Sequence, residues 1–204
     1  MKNLFSITAR VFLFLMFSLG PAPGASYVES ISGDLSSLAE TPTFIPFDLG
    51  SNTVSGTVQA SSDVRDYFAF TIQPGHSLTG IFLLNYIDGN SGAPGNQGFI
   101  HIDEGLTSIL PVSGTALLGG HHLDREIFPS AATNVLTILS KAPLTGSGFK
   151  VPLGPGSYTI NVQQTGPQLT AYALALEVVP EPGVAFLLSI GAGAALAARR
   201  RNRG

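Results

Sequence analysis

The stretch Asp66–Ile72, DYFAFTI, decides the fold class. It is rich in aromatic and β-branched residues, which suit a half-buried pleated surface, and the turn pair Pro74-Gly75 follows it. Ser157–Gln163, SYTINVQ, alternates polar and apolar residues, the period of a strand with one buried face. Leu78–Tyr86 is a mostly apolar run and predicts a buried strand. These stretches predict a sheet protein.

The rest of the body repeats this pattern of short strands and Gly or Pro turns. About eight strands and no convincing long helix predict an all-β fold, an antiparallel jelly-roll-like β-sandwich. Asp88–Gly98 is a long Gly-rich loop, and His121–Phe128 is interpreted as a loop or a single helical turn. The further predicted strands are Phe44–Leu49, Thr53–Gln59, Phe99–Ile102, Ala116–Leu118, Asn134–Ser140 and Ala171–Val178.

The N-terminal residues 1–25 have the pattern of a signal peptide. Lys2 and Arg10 form its positive region, Val11–Leu19 forms its apolar core, and small residues follow, which places the cut near Gly24 to Ser26. Residues 26–43 are polar and mixed and are predicted to be a loose lead-in. Residues 44–178 then form the β-sandwich domain, and residues 179–204 are a separate tail.

The tail reads VPEPGVAFLLSIGAGAALAARRRNRG. Pro180 and Pro182 exclude a helix through Glu181 and favour an exposed, extended peptide. About sixteen uncharged residues follow, and as a helix they reach about 24 Å, a little short of a bilayer core. The closing cluster, Arg199, Arg200, Arg201 and Arg203, holds that end in the cytoplasm. This order predicts a C-terminal transmembrane helix; the alternative is a buried Ala-rich helix of a soluble domain.

Val179-Pro180-Glu181-Pro182, the apolar run and Arg199-Arg200-Arg201 together resemble the PEP-CTERM sorting signal of Gram-negative bacteria. The resemblance covers about the last twenty-five residues. It implies recognition by exosortase, an integral membrane cysteine enzyme, and cleavage near the Pro-Glu-Pro. The body is then released or passed to the cell surface and the extracellular polymer.

A second resemblance lies in the body. Its start and its end are similar to the bacterial pre-peptidase C-terminal domain, whereas the middle, about residues 89–152, departs from it. The resemblance implies a jelly-roll-like sandwich that serves as a secreted accessory module beside peptidases and other exported enzymes. The matching residues are Ser55-Gly56-Thr57-Val58, Asp63, Asp66-Tyr67-Phe68, Phe70-Thr71-Ile72, Pro74-Gly75, Gly154–Ile160 and Tyr172-Ala173-Leu174.

The composition excludes cysteine-based sites and argues against anionic partners. The chain has no cysteine, which excludes disulfides, thiolate metal sites and a cysteine nucleophile. Between signal and tail, four basic residues (Arg65, Arg125, Lys141 and Lys150) face 12 acidic ones, so the body carries 4 − 12 = −8. An acidic body argues against nucleic acid and anionic membrane surfaces as partners.

Candidate chemistry is limited to metal ligands, and neither a catalytic residue nor a cofactor is predicted. His122, Asp124 and Glu126 would share one face of an extended chain, although their spacing matches no defined site. Asp63, Asp66 or Asp88 could serve a calcium site, because oxygen-rich loops suit that ion.

We therefore predict an exported, non-enzymatic surface or extracellular-matrix protein. Its precursor is anchored in the inner membrane and sorted through Pro180, Glu181, Pro182, Arg199, Arg200 and Arg201. The expected partners are an exosortase-type membrane enzyme, the inner membrane in passing, and exopolysaccharide. Two alternatives remain open: a carbohydrate- or calcium-dependent adhesion module, and a secreted hydrolase with a site in residues 89–152.

Overall fold

The structure is a computed structural model that describes residues 23–60, 62–88, 98–108, 117–123, 131, 133–141, 143–164, 168–181 and 183. The described residues form nine strands in two sheets and two short helices. The mostly-β class and the two-sheet architecture predicted from the sequence are confirmed.

The first sheet has four strands in the order β1-β3-β9-β5. They are β1 (Pro23–Val28), β3 (Gly50–Val58), β9 (Thr170–Pro180) and β5 (His76–Asp88). The second sheet has five strands in the order β2-β4-β8-β6-β7. They are β2 (Thr43–Phe44), β4 (Arg65–Ile72), β8 (Gly156–Gln163), β6 (Gly98–Glu104) and β7 (Leu117–Leu123).

The hydrophobic core draws on both sheets, because alternate residues of each strand point to the same side. DYFAFTI supplies β4 and SYTINVQ supplies β8, and these two strands pair in antiparallel register along their whole length. The β4 aromatic residues Tyr67, Phe68 and Phe70 are fully buried, so none of them offers a ring for sugar stacking. Other core members are Val54, Leu83, Ile100, Ile160, Leu174 and Leu176.

Helix α2 (Val135–Lys141) stands where a strand was predicted over Asn134–Ser140. Its β-branched residues favoured a strand, but its buried apolar residues Val135, Leu136 and Leu139 recur at helical spacing. Tertiary contact decides the outcome, since Asn134 accepts a hydrogen bond from the Ile81 N–H at 3.2 Å and donates one to the Thr79 carbonyl at 3.0 Å. The helix is thereby fixed beside β5.

The lead-in, predicted to be loose over residues 26–43, is structured. It contains most of β1, helix α1 (Glu29–Ser32) and the buried residues Leu35 and Ala39. Residues 23–25, assigned above to the signal peptide, already belong to β1. The pairs β1–β3 and β2–β4 are parallel, so the prediction of a purely antiparallel sandwich is wrong at these two edges.

Two predicted boundaries also change. The strand expected over Phe44–Leu49 is reduced to β2, which ends before Pro46, a residue that has no N–H for a ladder bond. His121 and His122 belong to β7 rather than to a loop or a helical turn.

The C-terminal strand carries the chain to the tail. β9 runs to Pro180, which lies opposite His76, and the Glu181 N–H donates to the Gly75 carbonyl at 2.8 Å. Among the described residues no helix is long and apolar enough to cross a bilayer. Pro182, the predicted transmembrane helix, Arg199, Arg200, Arg201 and the N-terminal signal helix lie outside the described residues.

Candidate metal centre

Four carboxylates converge where the N-terminal segment meets the start of β4. Glu29, Asp34, Asp63 and Asp66 each offer one ligand oxygen, and these oxygens all lie within 4.8 Å of one another. Glu29 begins helix α1, Asp34 follows that helix, Asp63 precedes β4, and Asp66 is the second residue of β4. The segment around α1 therefore supplies two ligands, and the start of β4 supplies the other two.

Local hydrogen bonds fix the turn that holds Asp63 and the carboxylate of Glu29. The backbones of Gln59 and Asp63 bond in both directions, Gln59 N–H to Asp63 O at 2.6 Å and Asp63 N–H to Gln59 O at 3.0 Å, which closes the turn between β3 and β4. Glu29 accepts from the N–H groups of Leu35 at 3.0 Å and Thr57 at 2.8 Å. Its carboxylate thus joins the lead-in to β3.

Asp66 is the most enclosed member of the cluster, with 0% of its surface exposed. Its Oδ2 accepts a hydrogen bond from the Tyr172 hydroxyl at 2.7 Å. Its Oδ1 is buried and has no hydrogen-bond partner among the described residues. A buried polar atom without a partner is uncommon in native proteins and is often explained by a bound ion or water.

Gly56 on β3 leaves the space that Asp66 needs. A Cβ at position 56 would lie 2.8 Å from Asp66 Oδ2 and 2.9 Å from the Tyr172 hydroxyl oxygen. Any larger residue would therefore push the hydrogen-bonded pair apart. Glycine here serves close packing of the site rather than a turn, because it lies in the middle of a strand.

Burial and repulsion between the carboxylates favour the protonated, neutral forms of these side chains. Burial, joined by the charges of Glu29, Asp63 and Asp34, raises the pKa of Asp66 to about 9, although the Tyr172 hydroxyl opposes the shift. Burial and the charges of Asp34 and Glu29 raise the pKa of Asp63 to about 6. Burial also raises the pKa of Glu29, against the lowering effect of the Leu35 and Thr57 N–H groups.

The donor set suits calcium. All four groups offer carboxylate oxygens, and these oxygens lie within 4.8 Å of one another. Calcium takes oxygen ligands at about 2.3–2.6 Å in a flexible geometry, whereas magnesium demands a near-ideal octahedron and keeps several waters, so a set of protein carboxylates favours calcium. A divalent cation would also relieve the repulsion described above.

The structure shows where several of the predicted site residues lie. Asp63 and Asp66, two of the three residues predicted for a calcium site, are brought together, while Asp88 ends β5 and its side chain lies outside the described part. His122 is exposed on β7, and Asp124 and Glu126 lie outside the described residues, so the His122–Asp124–Glu126 site stays a prediction.

Sequence reasoning missed Glu29 and Asp34. Both stand in a polar stretch that has no motif of its own, and they lie about thirty residues before their partners. Only the parallel pairing of β1 with β3 carries them to Asp63 and Asp66.

A second polar cluster lies inside the region of the hydrolase alternative. Ser108 donates its hydroxyl to Asp103 Oδ2, and His101 Nε2 lies 3.0 Å from Ser108 Oγ and 3.2 Å from the same Asp103 oxygen. In a serine-hydrolase triad the carboxylate instead orients the opposite ring nitrogen of the histidine. Here His101 Nδ1 is buried and has no partner among the described residues. The cluster therefore lacks the triad arrangement.

No family model and no curated protein matches the chain. Among solved structures, the chain is similar to PliG of Salmonella Typhimurium, a periplasmic lysozyme inhibitor of g-type lysozyme. The match has 14% identity and a TM-score of 0.34, and it covers 68% of this chain and 100% of that one. At these values the likeness supports no conclusion about fold or function.

Proposed function

We propose that the chain is the precursor of an exported, non-enzymatic surface or extracellular-matrix protein whose sandwich binds calcium. The observation that carries the calcium assignment is the convergence of Glu29, Asp34, Asp63 and Asp66 within 4.8 Å. The Oδ1 of Asp66 supports it as a second observation, because this buried oxygen has no hydrogen-bond partner among the described residues.

The role of the ion follows from where its ligands lie. Glu29 and Asp34 belong to the N-terminal segment, and Asp63 and Asp66 belong to the turn and strand of the second sheet. A cation between them ties that segment to the sandwich. Extracellular media are rich in calcium relative to the cytoplasm, so such a site favours the folded form after export.

Isothermal titration calorimetry and thermal unfolding of the purified chain with calcium test this proposal. We expect calcium to raise the unfolding temperature, magnesium to do so less, and Asp63→Asn to remove most of the effect. The control is Asp48→Asn, which changes the net charge equally at an exposed position. Equal calcium binding by both variants would reject the cluster as the site.

The sorting part of the proposal rests on the tail sequence. Pro180 is exposed at the end of β9, and one described backbone hydrogen bond, from Glu181 N–H to Gly75 O, ties the next residue to the body. A processing enzyme would need to displace little structure there. We expect replacement of Pro180, Glu181 and Pro182 by alanine to leave an uncut, membrane-bound precursor in a host with an exosortase-type system. An unchanged mass and location would exclude processing at this site.

The adhesion alternative shares the calcium site and differs in what it binds. It predicts that the protein is retained on purified exopolysaccharide in calcium and released by a chelator, and that Asp63→Asn is never retained. A purely structural role predicts no retention under either condition.

A further inference from the structure

The hydrogen bonds made by the first residues of β1 bear on which residue the exported chain begins with. The Ala25 N–H donates to Asn52 Oδ1 at 2.8 Å. Asn52 is fully buried, and its amide group donates to the carbonyls of Asp48 at 2.9 Å, Gly50 at 3.3 Å and Leu176 at 3.3 Å. These bonds fix the amide, and its Oδ1 accepts from the N–H groups of both Asp48, at 2.9 Å, and Ala25.

Strand β1 begins at Pro23, opposite Ser51, and the contacts that tie it to side chains of the body follow from Ala25 onward. Ser26 accepts a hydrogen bond from the Thr53 hydroxyl at 2.9 Å, Tyr27 packs against the core, and Glu29 belongs to the candidate metal centre. Gly24 differs, because a Cβ there would lie 2.6 Å from Ser51 O and 2.7 Å from Asn52 Oδ1. A side chain at position 24 would thus clash with β3, so this position is tolerated only as glycine.

The sequence places a suitable bond at the same point. Signal peptidases require small residues at the first and third positions before the cut, and Ala22 and Gly24 meet this for the Gly24–Ala25 bond. Cleavage one residue later would put Pro23 at the third position and would remove the N–H that binds Asn52.

We propose that an export peptidase hydrolyses the Gly24–Ala25 bond and that the new α-ammonium of Ala25 binds Asn52 Oδ1. Water supplies the hydroxyl that completes the Gly24 carboxyl and the proton that completes the Ala25 amine. The amide hydrogen bond then becomes a charge-assisted one, which is roughly twice as strong. This inference rests on the export part of the proposed function.

Intact-mass measurement and N-terminal sequencing of the exported protein test it, with an expected start at Ala25. A start at any other residue would overturn the inference while leaving export standing. An uncut N-terminus would overturn both, so the two failures are distinguishable.

Gly24→Ala provides a matched variant, since alanine is also accepted before the cut. We expect the same mature mass and an unchanged unfolding temperature, because residue 24 is gone from the mature protein. A lowered unfolding temperature would mean that position 24 is retained against Ser51, and would contradict the proposed start.

The docking of the amine has its own measurement. An amine-reactive ester should label the Ala25 α-amine several-fold more slowly in the folded mature protein than in the urea-unfolded chain, and Asn52→Ala should raise the folded-state rate. Equal rates in folded and unfolded wild type would overturn the docking.

Discussion

Replacing Asp66 by asparagine should have opposite consequences with and without calcium. A folded pKa of about 9 for Asp66, set against about 3.9 in an unfolded chain, means that the empty site keeps a proton at pH 7 that the unfolded chain has lost. At about 1.36 kcal/mol per pKa unit, this proton costs the folded state about 4 kcal/mol at pH 7. Asparagine removes that cost and keeps an acceptor for the Tyr172 hydroxyl.

The cost has a definite pH window. Because the folded pKa is raised, the folded state binds more protons than the unfolded chain between about pH 4 and pH 9, so stability of the empty wild type falls as the pH rises through that window. The Asp66 share of this slope should vanish in Asp66→Asn. Allowing for relaxation around the buried site, we expect a gain of roughly 2 kcal/mol in the empty variant at pH 7, or about 4–8 °C in unfolding temperature.

With calcium the order reverses. At a free concentration of a hundred times its dissociation constant, calcium should stabilise the wild type by about 2.7 kcal/mol and should leave Asp66→Asn nearly unchanged. Calorimetric unfolding in chelator and in calcium, across pH 5–8, measures both effects, with Asp48→Asn as the control of equal charge. A variant that is no more stable than wild type in chelator would refute the buried-carboxylate reasoning, and one that still responds to calcium would refute the site.

Three further predictions follow from the same contacts. Gly56→Ala should weaken calcium binding, measured by calorimetry, and should cost about 1–3 kcal/mol of stability in urea unfolding. The reason is that its Cβ falls within 2.9 Å of two side-chain oxygens. Gly154→Ala is the control, because a Cβ there meets nothing within 4 Å. Calcium affinity should fall as the pH drops from about 9 to 5, because Asp66, with a pKa of about 9, and Asp63, with a pKa of about 6, take up protons that compete with the ion. Equal affinities at pH 7.5 and 5 would contradict this. Leu139→Ala in α2 should cost about 2–5 kcal/mol in urea unfolding because Leu139 is fully buried, whereas the partly exposed Thr137→Ala should change little.

The sequence by itself determined the strands with clear patterns. DYFAFTI and SYTINVQ became β4 and β8, because β-branched and aromatic residues favour strands. The single buried face that the alternation of SYTINVQ predicted is wrong, since five consecutive residues of each strand are buried. It also determined the acidity of the body and the absence of disulfides, which depend on residue counts alone. Asp63 and Asp66, with Asp88, could be named as calcium candidates because oxygen-rich loops suit that ion.

Only the tertiary structure decided the rest. Val135–Lys141 contains residues common in strands, and its helix depends on the fit of Leu136 and Leu139 against the core. The parallel edge β1–β3 has no local signal, since pairing between residues about twenty-eight positions apart is chosen by long-range contact. That pairing delivers Glu29 and Asp34 to the metal centre and Ala25 to Asn52, so the candidate site is complete only once the chain is folded.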